Sequence, residues 1–279
     1  MTSSSAATSP FRHEETDRDA APQYVLPLVV RIEKSAPPAR TDALETAARA
    51  VLTLLSDERA SFGEDGGETG RDDDGDGWSG GSGGDSENSE GEGDSDGDGQ
   101  GGARGEWAQA VRDWQDARIR KVVRRARGAE WRRAETLPGI TVRGRAAEVR
   151  VYPPVPLDGW PKELVKLQVS GTDLDDPEPP PAFDPESPVL WLSPELDMSA
   201  GKAMAQAGHG AQLAWWELDA EERAAWRAAG FPLSVRTAEP RAWAELTGSG
   251  LPLVRDAGFT EIAPGSCTVV ADHPALRGR

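Results

Sequence analysis

One long stretch of the chain limits what the rest can fold into. Residues 63–105 consist almost entirely of Gly, Asp, Ser and Glu, with fourteen acidic residues against two arginines. A stretch with so little apolar surface cannot offset by burial the conformational entropy that it would lose on ordering. We therefore predict a disordered acidic insertion at residues 63–105 and a disordered polar tail at residues 1–22, which leaves the flanking segments to build the core.

Short apolar runs alternate with amphipathic helical runs on both sides of the insertion. In the first part the patterns predict strands at 24–32, 119–124, 141–142 and 148–152, helices at 41–55, 107–114 and 128–135, and a further element at 162–169. In the second part they predict strands at 189–192, 232–236, 253–254 and 268–271, and helices at 200–218, 219–229 and 240–247. This alternation favours an α/β fold with small mixed β-sheets flanked by helices. We place one domain at 23–170, a Pro-rich linker at 171–188 and a second domain at 189–274.

Two residues compete to cap the first predicted helix. Thr41 can accept a hydrogen bond from the first turn, or Asp42 can do so with Glu45 closing a capping box three residues later.

The two parts also resemble each other in sequence. A shift of 112 positions places residues 123–143 on 235–255 and makes six of the twenty-one pairs identical, where random pairing gives about one or two. The identical pairs include Trp131 with Trp243 and Arg143 with Arg255. We therefore predict an internal duplication that gives two related domains.

Acidic and basic residues lie in different blocks of the chain. The formal net charge is −17, yet residues 112–150 hold twelve Arg and Lys against five acids. This basic block favours contact with nucleic-acid phosphates, and the alternative is a solvated face that balances the acidic insertion. The candidate RNA-binding residues are Arg120, Lys121, Arg124, Arg125 and Arg127.

Several classes of protein are disfavoured by the composition. The longest apolar run, 25–30, is too short to span a bilayer, and the N-terminus has no apolar signal core, so we expect a cytoplasmic protein without membrane contact. The single Cys267 cannot form an internal disulfide. Three scattered histidines and one cysteine lack metal-ligand spacing, so we expect no metal and no cofactor.

The first motif with chemical content is the run from Asp197 to His209. Lys202 enters a predicted helix directly after Gly201, and Lys202, Gln206 and His209 follow at i, i+4 and i+7, so they share one face. A lysine beside the free N–H groups of a helix N-terminus makes an anion site. The alternative is a solvated lysine on an ordinary helix.

The second motif runs from Leu253 to Thr268. Asp256 follows a short apolar strand, and ligands in open α/β sheets bind beyond the carboxyl ends of strands. The alternative is a turn aspartate after a core strand.

Together the two motifs resemble the type 2, archaeal and eukaryotic type, peptidyl-tRNA hydrolases, over about a third of the chain. That family shows Gly-Lys, Gln and His on its first helix and later Arg-Asp-Ala-Gly-x-Thr-x-Ile-x-Pro-Gly-Ser/Thr-x-Thr. The matching residues are Gly201, Lys202, Gln206, His209, Arg255, Asp256, Ala257, Gly258, Thr260, Ile262, Pro264, Gly265, Ser266 and Thr268.

The resemblance implies hydrolysis of the ester between a peptide and the 3′ ribose of tRNA, with peptidyl-tRNA as the partner. Lys202 would stabilise the oxyanion or bind phosphates, and Asp256 would orient or deprotonate the water, or hold Lys202 in place. Thr260 would hydrogen-bond the water or the ribose. The expected supporting residues are Gln206, His209, Arg255, Gly258, Pro264, Gly265 and Thr268.

Departures from the family pattern leave a second function open. Ala200 stands where the family often has a second lysine, and Glu261 replaces a common glutamine, which favours a catalytically weak RNA-binding or regulatory protein. The first half has no lysine in residues 41–55 and has Gly144 opposite Asp256, so it would be an inert copy. Since the family is typically homodimeric, the two halves of this chain are expected to form an intrachain pseudo-dimer.

Overall fold

The computed structural model describes residues 22–61, 103–256 and 262–279. Nearly all of the predicted tail and of the predicted acidic insertion lies outside the described residues. The N-terminal unit, residues 22–61 and 103–170, contains β1 (Tyr24–Arg31), α1 (Arg40–Leu55), α2 (Ala108–Asp116), β2 (Arg120–Ala126), α3 (Gly128–Glu135), β3 (Ile140–Arg143), β4 (Glu148–Val151), β5 (Val155–Pro156) and α4 (Lys162–Val165).

A mixed sheet forms the centre of the N-terminal unit, in the order β2-β1-β4-β3. β1 pairs parallel with β2 and antiparallel with β4, and β5 extends the sheet by pairing with the start of β1. The sequence of β1 is apolar in nearly every position because this strand is central in the sheet, and its residues 25–30 are all buried.

The C-terminal unit, residues 189–256 and 262–279, is built around a second mixed sheet. Its elements are β6 (Val189–Leu192), α5 (Ala200–Glu217), α6 (Ala220–Ala228), β7 (Ser234–Thr237), α7 (Pro240–Thr247), β8 (Leu253–Arg255) and β9 (Cys267–Asp272). The strand order is β7-β6-β9-β8, with a parallel β6–β7 pair and antiparallel β6–β9 and β8–β9 pairs.

The two sheets therefore have the same strand order and the same strand directions. A shift of 112 positions carries α3 onto α7, and the tryptophans at this shift, Trp131 and Trp243, are both buried. The α/β prediction with small mixed sheets flanked by helices is confirmed, and the architecture is consistent with two related domains.

The start of α1 differs from the prediction. The helix begins at Arg40 after Ala39, and neither Thr41 nor Asp42 caps it. Instead the side chain of Asp176, far along the chain, accepts hydrogen bonds from the Thr41 backbone N–H at 2.9 Å and the Thr41 hydroxyl at 2.6 Å. The predicted caps are wrong because the α1 N-terminus receives its acceptor from a distant segment.

Helices α1 and α5 hold the two units together. Buried residues of both helices contribute to one continuous hydrophobic core, among them Val51 of α1 and Ala207 of α5. A Cβ atom at Gly208 would lie 2.9 Å from Val51 Cγ2, so α5 can pack this closely on α1 because residue 208 is a glycine. Glu45 of α1 also pairs with Arg236 of β7 at 2.8 Å, with both side chains largely buried.

The predicted linker contributes to this packing. Thr172 and Leu174 are buried, and the carbonyl of Asp175 accepts a hydrogen bond from the Arg40 N–H at 3.1 Å. The segment 172–176 therefore contacts both units. Of the helices in the described ranges, none combines the length and hydropathy needed to span a bilayer.

Candidate active site

Helix α5 presents three polar side chains to one surface. Ser199 starts the helix by accepting a hydrogen bond from the Lys202 N–H at 3.3 Å. Gly201 lies under the segment 172–176, because its N–H donates to the Thr172 hydroxyl and a Cβ there would come within 2.8 Å of that oxygen. Lys202 follows directly, and Lys202, Gln206 and His209 all line the same cleft.

Asp256 is held at the carboxyl end of β8 by the backbone around it. Its N–H donates to the Ser266 carbonyl at 2.9 Å, and its own carbonyl accepts from the Gly265 N–H at 2.7 Å. Gly265 has φ of +82°, a left-handed conformation that favours glycine. These bonds join the Asp256 backbone to residues 265–266, which precede β9.

A short network connects the two motifs. Lys202 Nζ forms an ion pair with Asp256 Oδ2, and the Gln206 amide donates to the same oxygen at 2.8 Å. The hydroxyl of Thr268, which is completely buried, donates to Gln206 Oε1 at 2.7 Å. The side chains of Lys202 and Asp256 are 13% and 6% exposed, so the pair is mostly shielded from water and its charges interact more strongly than they would at a surface.

A second polar group lies deeper along α5. Lys121 of β2 reaches across from the N-terminal unit, and its Nζ lies 3.3 Å from His209 Nδ1 and 2.5 Å from Gln212 Oε1. Burial, with the nearby ammonium groups of Lys121 and Lys202, lowers the pKa of His209 well below its usual value. The His209 ring is therefore neutral at neutral pH.

Both units form the cleft, which has a volume of about 1190 Å³. One wall is α5 with the end of β8, and the other is the start of β2 with residues 168–173. The face of α5 changes along its length from Lys202, Gln206 and His209 to Leu213 and Trp216. The cleft thus offers charge near the α5 N-terminus and apolar surface further along.

The remaining predicted site residues are distributed as follows. Gly258 and Thr260 lie outside the described residues. Arg255 is exposed and its Nη1 contacts Cys267 Sγ at 3.2 Å, while Pro264 is exposed in the loop. Arg255 also lines the cleft beside Asp256.

The candidate RNA-binding residues occupy different environments. Arg120 lines the cleft and Arg127 precedes α3, whereas Lys121 is buried at 7% exposure. Arg124 donates to the carbonyls of Val165 and Leu167, and Arg125 donates to the Ser170 carbonyl and to Gln168. Arg124 and Arg125 therefore hold residues 165–170 against β2.

The residue of the N-terminal unit that the 112-residue shift pairs with Asp256 lies in a tight turn. Gly144 corresponds to Asp256 at the 112-residue shift, and a Cβ atom at Gly144 would lie 2.3 Å from Asp42 Oδ1 and 2.2 Å from the Thr46 hydroxyl. The Asp42 carboxylate accepts hydrogen bonds from the N–H groups of Arg145, Ala146 and Ala147 at 2.7–3.0 Å. The turn of residues 144–147 thus packs closely around the Asp42 carboxylate.

Sequence reasoning missed Gln212 and Thr172 of the site, and Asp176 at the start of α1. Gln212 continues the spacing of His209 by three positions on α5, and that spacing is a signal that could have identified it. The contacts of Thr172 and Asp176 depend on how the linker returns to the helix N-termini, for which the local sequence holds no signal.

The fold and the site define an α/β protein with a lysine–aspartate pair between a helix N-terminus and the carboxyl end of a strand. The family model described as "Peptidyl-tRNA hydrolase PTH2" matches residues 188–278. The chain is also similar to the "Peptidyl-tRNA hydrolase" of Thermococcus onnurineus (strain NA1), with 36% identity over 97 residues that cover 31% of this chain and 82% of that relative. The chain belongs to the peptidyl-tRNA hydrolase PTH2 family, through its C-terminal unit.

Proposed function

We propose that the C-terminal unit hydrolyses the ester between peptide and tRNA in peptidyl-tRNA. The observation that supports this most strongly is the Lys202–Asp256 pair, which lies in a cleft within the segment that matches the family. A lysine at a helix N-terminus suits the negative charge of a developing oxyanion or of the terminal phosphates. A carboxylate with one oxygen held by Lys202 and Gln206 suits the orientation or deprotonation of a water.

The roles that we propose for Lys202 and Asp256 follow from these contacts. Lys202 supplies positive charge, Asp256 positions the attacking water, and Thr260 hydrogen-bonds the water or the ribose, as the family resemblance implies. Gln206 and Thr268 form a chain of hydrogen bonds that holds Asp256 in one orientation. Hydrolysis adds the water oxygen to the ester carbonyl and releases the ribose 3′ oxygen with a proton.

The test is the release of peptide from peptidyl-tRNA by the purified full chain. We expect Lys202→Ala and Asp256→Ala each to lower kcat/KM by at least about 100-fold, the lower range for positioned acid–base groups. Lys166→Ala is the control, because Lys166 is exposed and distant from these groups in sequence. Full turnover in both active-site variants would disprove the assignment.

A second function, from the binding class, has one observation in its favour. Ala200 replaces a lysine that the family often has at the start of this helix, and Ala200 is buried, so one positive charge near the site is absent. A catalytically weak tRNA-binding or regulatory protein on the same fold would bind tRNA in a salt-dependent way without releasing peptide. The same assay, paired with a tRNA binding titration, separates the two functions.

We also propose that the two units are a duplicated pair in which the C-terminal unit carries the site. The matching strand order, the α3–α7 correspondence and the α1–α5 contact support this proposal. In this arrangement α1 occupies the place that a second subunit would take, and the Asp42 turn makes the N-terminal copy inert. Of the candidate RNA-binding arginines, Arg120 lines the cleft, and we propose that it contacts a tRNA phosphate there.

A further inference from the structure

Helix α5 presents one continuous stripe of side chains to the cleft. Lys202, Gln206, His209, Leu213 and Trp216 follow at i, i+4, i+7, i+11 and i+14, and all of them line the cleft. At a rise of about 1.5 Å per residue, the stripe extends roughly 21 Å from Lys202 to Trp216. The proposed reaction uses Lys202 and Gln206 at one end, which leaves the other end without a role.

Strand β2 and α5 run in opposite directions along the cleft. Arg125, near the end of β2, donates a hydrogen bond to the Ser170 carbonyl at 2.9 Å, in the segment that contacts the first turn of α5. Lys121, nearer the start of β2, instead contacts two side chains in the second half of the helix. Residues 118–120, which also line the cleft, therefore lie toward its Trp216 end.

Apolar and cationic side chains lie together at the Trp216 end of the cleft. Leu213 and Trp216 of α5 and Ile119 just before β2 are partly exposed, so they offer apolar surface to a ligand. Arg118 and Arg120 flank Ile119 in the chain and line the cleft as well. An aromatic ring with guanidinium groups nearby is the combination that holds unpaired nucleotides, since bases stack on the ring and phosphates are attracted to the charges.

The charge of the cleft favours an anionic ligand. Apart from the buried Lys121, the described residues that line it include four cationic side chains and two carboxylates, namely Arg118, Arg120, Lys202, Arg255, Asp173 and Asp256. Lys202 and Asp256 pair with each other, which leaves three arginines against one aspartate. A peptide of arbitrary sequence does not require this charge, whereas every nucleotide brings a phosphate.

The length of the stripe suits a short unpaired strand. Nucleotides of a stacked strand are about 3.4 Å apart, so roughly 21 Å takes at most about six of them. A paired base has both faces covered within the duplex, so only an unpaired base can stack on a protein side chain. The 3′ end of tRNA, which carries the ester of peptidyl-tRNA, is such an unpaired segment.

We propose that the cleft holds the unpaired 3′ end of tRNA along α5, with the terminal ribose at Lys202 and Asp256 and an upstream base stacked on Trp216. Arg118 and Arg120 attract the phosphates of this strand. The position of the ester rests on the proposed function, whereas binding of the strand does not. The N-terminal unit in this way supplies one wall of the RNA site, although the family match lies in the C-terminal unit.

Binding of RNA oligonucleotides to the purified full chain tests this site without any turnover. The probes carry the 3′-terminal sequence of tRNA, and their length is increased one nucleotide at a time. We expect the affinity to rise with length and to level off at about six nucleotides. A probe of the same length with abasic riboses upstream keeps its phosphates but has no base to stack there, so we expect it to bind about tenfold more weakly.

The variant Trp216→Ala tests the stacking contact itself. We expect it to weaken binding of the intact probe about tenfold, within the range for one stacked base, and we expect Trp216→Phe to retain most of the affinity. With the abasic probe, Trp216→Ala should cause no further loss, because the base that it would contact is already absent. Trp160→Ala is the control, since Trp160 is also partly buried and is not among the described residues of the cleft.

Peptide release distinguishes RNA from peptide at the Trp216 end. With peptidyl-tRNA, we expect Trp216→Ala to raise KM about tenfold while kcat stays the same, because a contact far from the ester stabilises the ground state and the transition state alike. A peptidyl ester of adenosine alone is too short to reach from Lys202 to Trp216. With that substrate, the rise in KM should disappear.

The outcomes separate the two proposals. Equal binding of the intact and abasic probes, or equal affinity of wild type and Trp216→Ala, would overturn the RNA path along α5. A rise in KM that persists with the adenosine ester would mean that Trp216 contacts the peptide or supports the fold, and would overturn it as well. RNA binding with the expected length dependence but without peptide release would defeat the proposed hydrolysis alone, and peptide release without that length dependence would defeat the RNA path alone.

Discussion

Asp42 stabilises a turn of the N-terminal unit. It is buried at 2% exposure and its carboxylate receives three backbone N–H groups from the turn after Gly144. Burial raises the pKa of Asp42, but the three backbone donors and the nearby Arg145 outweigh this effect, so the pKa is lowered. The charged Asp42 side chain therefore stabilises the turn after Gly144.

We predict that Asp42→Asn destabilises the protein by roughly 2 kcal/mol at neutral pH, because the amide NH₂ replaces an acceptor and leaves buried N–H groups unpaired. Since the pKa of Asp42 is depressed in the folded state, its contribution is complete above the unfolded value of about 3.9 and is lost as pH falls through the folded value. Urea unfolding at neutral and acid pH measures this. Asp158→Asn, at an exposed position, is the control, and a gap between Asp42→Asn and wild type that does not shrink in acid would contradict the prediction.

For single residues, the sequence predicted which side chains lie together when those residues are close to one another in the chain. The positions of Lys202, Gln206 and His209 on one helix face follow from the i, i+4, i+7 pattern. The burial of Lys121 could not be predicted, because a lysine in a basic run has the pattern of a surface residue until the contact with α5 is known.

Among the elements, α5 depends on small residues to approach its neighbours. Its glycines 208 and 210 would each place a Cβ closer than 3.0 Å to a valine, Val51 of α1 and Val269 of β9 respectively. These contacts let the helix pack between the other unit and its own sheet.

We predict that Gly208→Ala destabilises the chain by about 1–2 kcal/mol, since the overlap with Val51 outweighs the better helix propensity of alanine. The measurement is the free energy of unfolding in urea. Val51→Ala removes the clashing methyl group, so adding Gly208→Ala to it should be neutral or stabilising. Destabilisation of the same size in both backgrounds would show that Val51 is not the cause.

The bounds of a helix were easier to predict where its own residues cap it. Helix α7, which Pro240 opens, was predicted with its observed bounds. Helix α6, which begins with a capping box of Asp219 and Glu222, was predicted one residue too long at each end. The α1 caps were wrong because Asp176 supplies the acceptor from across the fold. Strand β5 has two residues and is defined by its pairing with β1, so no periodicity marked it.

For the whole molecule, the α1–α5 contact has a consequence for assembly. The α5 face that packs on α1 is covered within the chain by a continuous core. We predict that the full chain is a monomer in sedimentation experiments over a wide range of concentrations. A stable dimer formed through the C-terminal unit would contradict the pseudo-dimer proposal.

The presence of two α/β units could be predicted from the order of the elements and from the sequence similarity at a shift of 112 positions. The way in which the units share one cleft was not, because it depends on contacts between residues far apart in sequence, such as Lys121 with Gln212 and Thr172 with Gly201.

The turn of residues 144–147 over Asp42 affects the number of tRNA molecules that we expect one chain to bind. A symmetric pair of identical units would offer two equal places for a ligand, whereas in the duplicated pair that we propose the turn of residues 144–147 occupies one of them. If tRNA seats in the remaining cleft, titration should saturate at one equivalent per chain, and no communication between twin sites is available to make the binding curve sigmoidal.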